Sequence, residues 1–113
     1  MAKHQYNFNY DETLPTVIVK DRVLTVNNRK STMKALKKGQ SDLEAKAAKE
    51  GRAVTDDEAS MLLIATICGK DAAKYVESLD LPIPAFKDLL STIMAAYQGI
   101  TVEELEKQAN TRV

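Results

Sequence analysis

Thr55-Asp56-Asp57-Glu58-Ala59-Ser60-Met61-Leu62-Leu63-Ile64-Ala65-Thr66-Ile67-Cys68-Gly69 is the stretch around which the rest of the chain can be arranged. Thr55 with Glu58 fits a capping box, in which each side chain accepts a hydrogen bond from the other residue's free backbone N–H. The acids at the start complement the positive end of the helix dipole. From Met61 to Cys68 apolar residues cover almost the whole circumference, so this helix must be enclosed by other elements. Gly69 ends it. The expectation is a central helix with Ile64 and Ile67 buried.

Toward the C-terminus, Asp71 is suited to cap a short helix running to about Leu79, with Ala73, Val76 and Leu79 facing inward. Pro82 and Pro84 punctuate the linker, and Pro84 fits the first position of the next helix. Phe86, Leu89, Leu90, Ile93, Met94 and Tyr97 then follow helical spacing up to Gly99. Leu90 and Ile93 are expected to join Ile64 and Ile67 in the core. Thr101-Val102-Glu103-Glu104 repeats the capping-box pattern and opens a short amphipathic tail that includes Leu105.

Toward the N-terminus, the segment 29–52 is a highly charged helix with a thin apolar stripe, Met33, Leu36, Gln40, Leu43 and Ala47. Gly39 lies in that stripe and is a candidate break, and Gly51 ends the helix. This segment is expected to be the most exposed or mobile. Residues 1–28 read as strands. Tyr6, Phe8 and Tyr10 alternate with Gln5, Asn7 and Asn9, the period of a half-buried strand. Thr16-Val17-Ile18-Val19-Lys20 and Val23-Leu24-Thr25-Val26 are rich in β-branched residues and predict a hairpin turning at Asp21-Arg22. The fold class is therefore α+β, mostly helical, with an N-terminal hairpin or small sheet and four or five helices. At 113 residues the chain is one domain: a β region at 1–28, the charged helix at 29–52 and a helical core at 53–113.

A chain of this length can bury roughly two-thirds of its unfolded surface without disulfides or metal. Cys68, the single cysteine, has no internal partner, which fits a reducing compartment. No stretch approaches the roughly 20 apolar residues of a bilayer span, and the N-terminus lacks an apolar signal core. These features predict a cytoplasmic protein without membrane association. The net charge of zero hides an asymmetry. Residues 29–52 hold eight basic and three acidic groups, whereas 53–113 hold five basic and ten acidic ones. Such a split bears on partners rather than on fold.

Catalytic and metal chemistry find no support in the residues. His4, the only histidine, has no cysteine, serine or carboxylate set around it. Cys68 sits beside Ile64 and Ile67 and reads as a small buried hydrophobe. Asp56, Asp57 and Glu58 lack the alternation and Gly of a calcium loop and are better explained by capping. Gly69-Lys70-Asp71 lacks the glycine-rich lead-in of a phosphate loop. Leu14-Pro15-Thr16 begins like a sortase signal, but Val17 stands where Gly is needed. No enzyme, cofactor or metal site is expected. The basic group Arg29, Lys30, Lys34, Lys37 and Lys38 has three readings: a solvated helix face, a contact with an acidic protein surface, or a phosphate-binding patch. Neutral overall charge and the lack of interleaved aromatics argue against nucleic acid.

The order of elements resembles a known family. It comprises a Val17-to-Val26 hairpin, a charged helix, a hydrophobic helix ending in Cys68-Gly69-Lys70-Asp71, a short helix, a proline break, a Phe86-Lys87-Asp88-Leu89-Leu90 helix and Gly99-Ile100-Thr101-Val102-Glu103-Glu104. This pattern is similar to the small tail assembly chaperones of long-tailed, siphovirus-type phages and prophages of Gram-positive bacteria, over nearly the whole chain. The resemblance implies a non-enzymatic role in virion morphogenesis. Such chaperones coat the long helical tape measure protein, keep it soluble, and are displaced as the tail tube protein polymerises around it. They self-associate, and many are also made in a longer frameshifted form.

The family contributes no site residues. On physical grounds, a chaperone for an amphipathic helix needs apolar surface that its own fold does not consume. The candidates are Tyr6, Phe8 and Tyr10, unless that strand simply covers the helical core, and the face of Met33, Leu36 and Leu43. Lys34, Lys37 and Lys38 are candidates for self-association, the basic helix of one copy meeting the acidic half of the next in a ring or spiral. The alternatives are a small nucleic-acid-binding regulator using residues 29–38 and a structural head or tail completion protein.

Overall fold

The structure, a computed structural model, describes residues 5–111. Among them, a two-stranded antiparallel hairpin, β1 (Thr16–Val19) and β2 (Arg22–Thr25), precedes helices α1 (Lys30–Lys49), α2 (Asp56–Cys68), α3 (Lys70–Leu79), α4 (Ile83–Gln98) and α5 (Val102–Thr111). The fold is α+β and mostly helical.

The register Val17↔Leu24, Ile18↔Val23 and Val19↔Arg22 makes the turn Lys20-Asp21, one residue earlier than the sequence reading. A two-residue hairpin loop needs positive φ to match the strand twist. With no glycine available, Lys20 adopts φ +57°. Val17, Leu24 and Val26 form the buried side, while Ile18 and Val23 on the opposite face stay 71% and 57% exposed. β1 packs against α4. The chain leaving β2 is tied to α2 by a 3.0 Å bond from the Asn27 N–H to the Ile67 carbonyl. Tyr75 of α3 holds the turn. Its hydroxyl donates to the Val19 carbonyl at 3.3 Å and stands 3.4 Å from the Asp21 carboxylate, and the Arg22 guanidinium lies 4.8 Å over its ring. Desolvation, then the charge of Asp21, raises the Tyr75 phenol above its ordinary value.

α1 is one continuous helix, so Gly39 does not split it. Its role is close packing, because a Cβ there would come within 3.0 Å of Leu62 Cδ1 on α2. Thr32 and Ala47 are buried and Leu36 and Leu43 half-buried, so one side of the helix packs against α2, while most of its other residues are exposed.

The start of α2 is built as its sequence requires. Thr55 Oγ1 accepts from the Glu58 N–H and Glu58 Oε1 accepts from the Thr55 N–H, each at 3.1 Å. Arg52 adds a 2.7 Å ion pair to Glu58. These donors, Arg52 first and the Thr55 N–H second, lower the Glu58 carboxyl from 4.5 to about 2. A folded-state value below the unfolded one stabilises above about pH 4.5, and that contribution is lost as pH falls toward about 2. The melting temperature of Glu58→Gln should therefore lie below that of the parent at neutral pH, with the gap closing across this acid range. A gap independent of pH would show that the carboxylate charge plays no part in the cap.

Two helix boundaries and two inward-facing positions differ from the sequence reading. Gly69, at φ +102°, serves as the N-cap of α3, so Asp71 lies in the first turn and caps nothing. Only a residue free of a Cβ makes so abrupt a junction between two helices. Pro82 is the N-cap of α4, which puts Pro84 at the second helical position rather than the first. Leu90 is half-buried, and Leu89 takes the inward position instead, at 8% exposure. Leu79 likewise is half-buried, whereas Ala73 and Val76 are buried as expected. The innermost residues are Ile64, Ile67, Ile93, Val26 and Val76, joining the hairpin, α2, α3 and α4. Gly99 ends α4 at φ +72°, and the Thr101–Glu104 capping box opens α5.

The radius of gyration is 17.1 Å and the long dimension 61 Å, against a radius of about 13 Å for a compact domain of this length. No helix among the described residues is long and apolar enough to cross a membrane.

Candidate functional site

The residues singled out in the sequence come to different fates. His4 lies outside the described residues. The segment holding Tyr6, Phe8 and Tyr10 is not a strand: it is coil, with the three rings 87%, 84% and 64% exposed. It therefore covers no part of the helical core. A strand pattern needs a neighbouring edge to hydrogen-bond, and where this segment lies, beside the start of α1, it pairs with none. Phe8 and Tyr10 stack on one another with centroids 5.6 Å apart, and the Tyr10 hydroxyl donates to Glu12.

Of the α1 candidates, Leu36 and Leu43 are half-buried, Leu36 against the core and Leu43 in a hollow shared with Val54 and Leu62 of the α1–α2 pair. Met33 alone of the three is exposed, at 38%. Lys30, Lys34, Lys37 and Lys38 recur at i, i+4, i+7 and i+8 and so share one face. They are exposed, and among the described residues they make no ion pair.

Cys68 is half-buried, and desolvation lifts its thiol to about 11, so it stays protonated and poorly nucleophilic at neutral pH. Asp56, Asp57 and Glu58 form a helix start, and no cluster of potential metal ligands occurs among the described residues.

What sequence reasoning missed is a cleft where α2, α3 and α4 converge. Two adjoining hollows, of about 300 and 570 Å³, share Asp57, Ile83 and Phe86. Met61, Leu81, Phe86 and Leu90 supply apolar walls, and Asp56, Asp57, Glu77 and Asp80 supply an acidic rim with Lys87 the one base. Ile83, the first residue of α4, stands at the lip with 71% of its surface in solvent. Asp80 ends α3 in the left-handed region at φ +47°, which a short polar side chain tolerates better than most.

α1 and α2 form a helical hairpin in which Gly39 meets Leu62 and Arg52 meets Glu58. The lysine half of α1 thus lies beside the C-terminal half of α2. The acid-rimmed cleft lies at the other end of α2. An open apolar trough with an acidic rim is suited to the apolar face of an amphipathic helix flanked by basic residues. Set against known protein families, curated proteins and solved structures, the chain matches none of them.

Proposed function

We propose that this protein is a non-enzymatic binding module that holds an amphipathic helical partner in the α2–α3–α4 cleft, and that it acts as a phage tail assembly chaperone for the tape measure protein. The observation that carries the reading is the apolar, acid-rimmed cleft with Ile83 exposed at its lip. A tape measure protein is long and helical, and before the tail tube protein encloses it, its apolar stripe needs a cover. Helix-in-groove docking supplies one, with anchors spaced along one helix face.

Self-association belongs to the same reading. The lysine face and the acidic rim lie toward opposite ends of the α1–α2 pair, an arrangement that favours head-to-tail contact over like patches meeting across a two-fold axis. Repetition of that contact gives a ring or a spiral along an elongated partner. Exposed ion pairs contribute only about 0–1 kcal/mol each, so charge sets register while apolar contact supplies affinity.

Neighbouring genes offer the first check: a tail tube gene upstream and a very long coiled-coil gene downstream. The decisive experiment is co-expression with that long protein. The tape measure protein is expected to be soluble and to co-purify with this chain, and insoluble without it. Equal solubility in both cases would overturn the chaperone reading. Retention of DNA or RNA at physiological salt, abolished by Lys34→Glu/Lys37→Glu/Lys38→Glu, would favour a nucleic-acid-binding regulator instead.

A further inference from the structure

The hairpin carries an unpaired edge. Because Val26 N–H bonds the Pro15 carbonyl at 2.8 Å and antiparallel pairs alternate, Val17 and Val19 direct their backbone groups at β2. Those of Thr16 and Ile18 point the other way, along the free side of β1. Beside that edge runs a groove of about 460 Å³, bounded by Thr16 and Ile18 on one wall and by Ala95, Ala96, Ile100 and Val102 of the α4–α5 corner on the other. No charged residue lines it. An open strand edge beside apolar surface is a template for an added strand.

The same chain carries a segment with the properties of such a strand. Residues 5–10, Gln-Tyr-Asn-Phe-Asn-Tyr, alternate aromatic and polar side chains and hold no charge. Tyr6 and Phe8 are the most exposed large hydrophobics among the described residues, and Tyr10 is exposed beside them. The stacking of Phe8 on Tyr10 already sets alternate residues on one side. We propose that residues 5–10 of one copy add as a third strand to β1 of a second copy, with Tyr6, Phe8 and Tyr10 in the groove against α4 and α5, and that two copies exchange these arms reciprocally.

Three observations select a second copy as the occupant. The arm leaves the body beside the start of α1, where Tyr10, Asp11 and Leu14 stand against Asn28, Arg29 and Lys30. That is the β2 side of the hairpin, whereas the open edge belongs to β1. To reach its own groove the arm would have to reverse at 11–15, where instead the Asp11 carboxylate accepts from the Thr13 N–H at 2.8 Å in a local turn. Secondly, arm and groove are both uncharged, so no ion is stripped of water on docking, whereas a charged peptide would lose hydration with nothing in return. Thirdly, three aromatic side chains can bury roughly 450–750 Å². One arm falls short of the ~800 Å² per partner of a stable interface, and two exchanged arms meet it. Exchange of an identical element is a low-cost route to a dimer. This contact uses the hairpin and not the cleft, so it stands or falls separately from the chaperone reading.

Light scattering after size exclusion tests it, in roughly 1 M salt, where a Debye length of about 3 Å screens any lysine-to-acid contact. The full chain is expected to pass from monomer to dimer with rising concentration. Tyr6→Ser/Phe8→Ser/Tyr10→Ser should stay monomeric with a nearly unchanged melting curve, because these side chains are exposed and belong to no part of the core. Ile18→Pro removes only an outward N–H, a change that edge strands accept, and should weaken dimerisation at least tenfold. Mixed, the two variants can form only one arm-to-edge contact, which falls short of a stable interface, so the mixture should dimerise far more weakly than the parent. Hydrogen exchange gives a readout that needs no Pro variant: the Thr16 and Ile18 amides should be protected in the dimer and exchange freely in the monomer. A full chain that remains monomeric at the highest concentration reached, or a triple-Ser variant that dimerises like the parent, would overturn the proposal.

Discussion

Ile64→Ala should cost about 2–5 kcal/mol of folding free energy, through lost burial and the cavity left behind. Ile64 is fully buried on the central helix, within the cluster that joins the hairpin, α3 and α4. A loss of that size is a large fraction of the ~5–15 kcal/mol that a domain typically commands. Leu90→Ala is the internal control. Leu90 packs against the same cluster but is only half-buried at the wall of the cleft, so its truncation should cost about 1–2 kcal/mol. Urea denaturation measures both, with unchanged slopes confirming that each variant unfolds from the same compact state. Equal losses at the two positions would mean that the inward face of α4 has been assigned a residue out of place.

Ile83→Ser should separate binding from stability. Its side chain is 71% exposed, so the unfolding midpoint should hardly move. If the cleft holds a helical partner, the same change removes the anchor at its lip, and affinity should fall by roughly 10–100-fold, the scale of an interface hot spot. Titration calorimetry with the purified complex partner reads the difference directly. Asp57→Asn/Asp80→Asn should act otherwise, lowering the association rate and flattening its salt dependence more than it changes dissociation. Undiminished binding by Ile83→Ser would remove the cleft from the interface and leave Met33 of α1 as the exposed alternative.

How far the sequence could be read depends on how local each signal is. α2 and α4 were legible because capping residues, terminal glycines and apolar spacing all sit within the helices themselves. Leu89 and Leu90 both satisfy that spacing, and only docking against the hairpin and α2 decides which turns inward. The capping role given to Asp71 passed to Gly69 because the reversal between α2 and α3 occurs in a single residue at φ +102°, leaving no room for a separate polar cap. Tyr6, Phe8 and Tyr10 alternate as a strand does, but alternation describes a surface and cannot supply the edge that would pair with it. The cleft was hidden for a different reason. Met61, Leu81 and Phe86 come from separate elements, and Phe86 and Leu90 looked like ordinary core positions of one helix. One signal was available: Ile83, flanked by Pro82 and Pro84, lies three residues before Phe86 and seven before Leu90 and so shares their face of α4.

The bond from the Tyr75 hydroxyl to the Val19 carbonyl links residues 56 positions apart, and this bears on how the chain is made. A ribosome releases β1 and β2 long before α3 and α4 exist to receive them. A lone two-stranded hairpin is marginal in water, so the nascent segment carries Val17, Leu24 and Val26 uncovered while the helices that will cover them are still being synthesised. α1 and α2 can pair as soon as both have emerged, since their contact is close in sequence and loop closure is cheap. The hairpin must wait for Tyr75 and Ile93. Its final docking is thus a late event that follows the emergence of α3 and α4, and slowing translation should lengthen the interval in which the N-terminal strands are open to proteases and to other nascent chains.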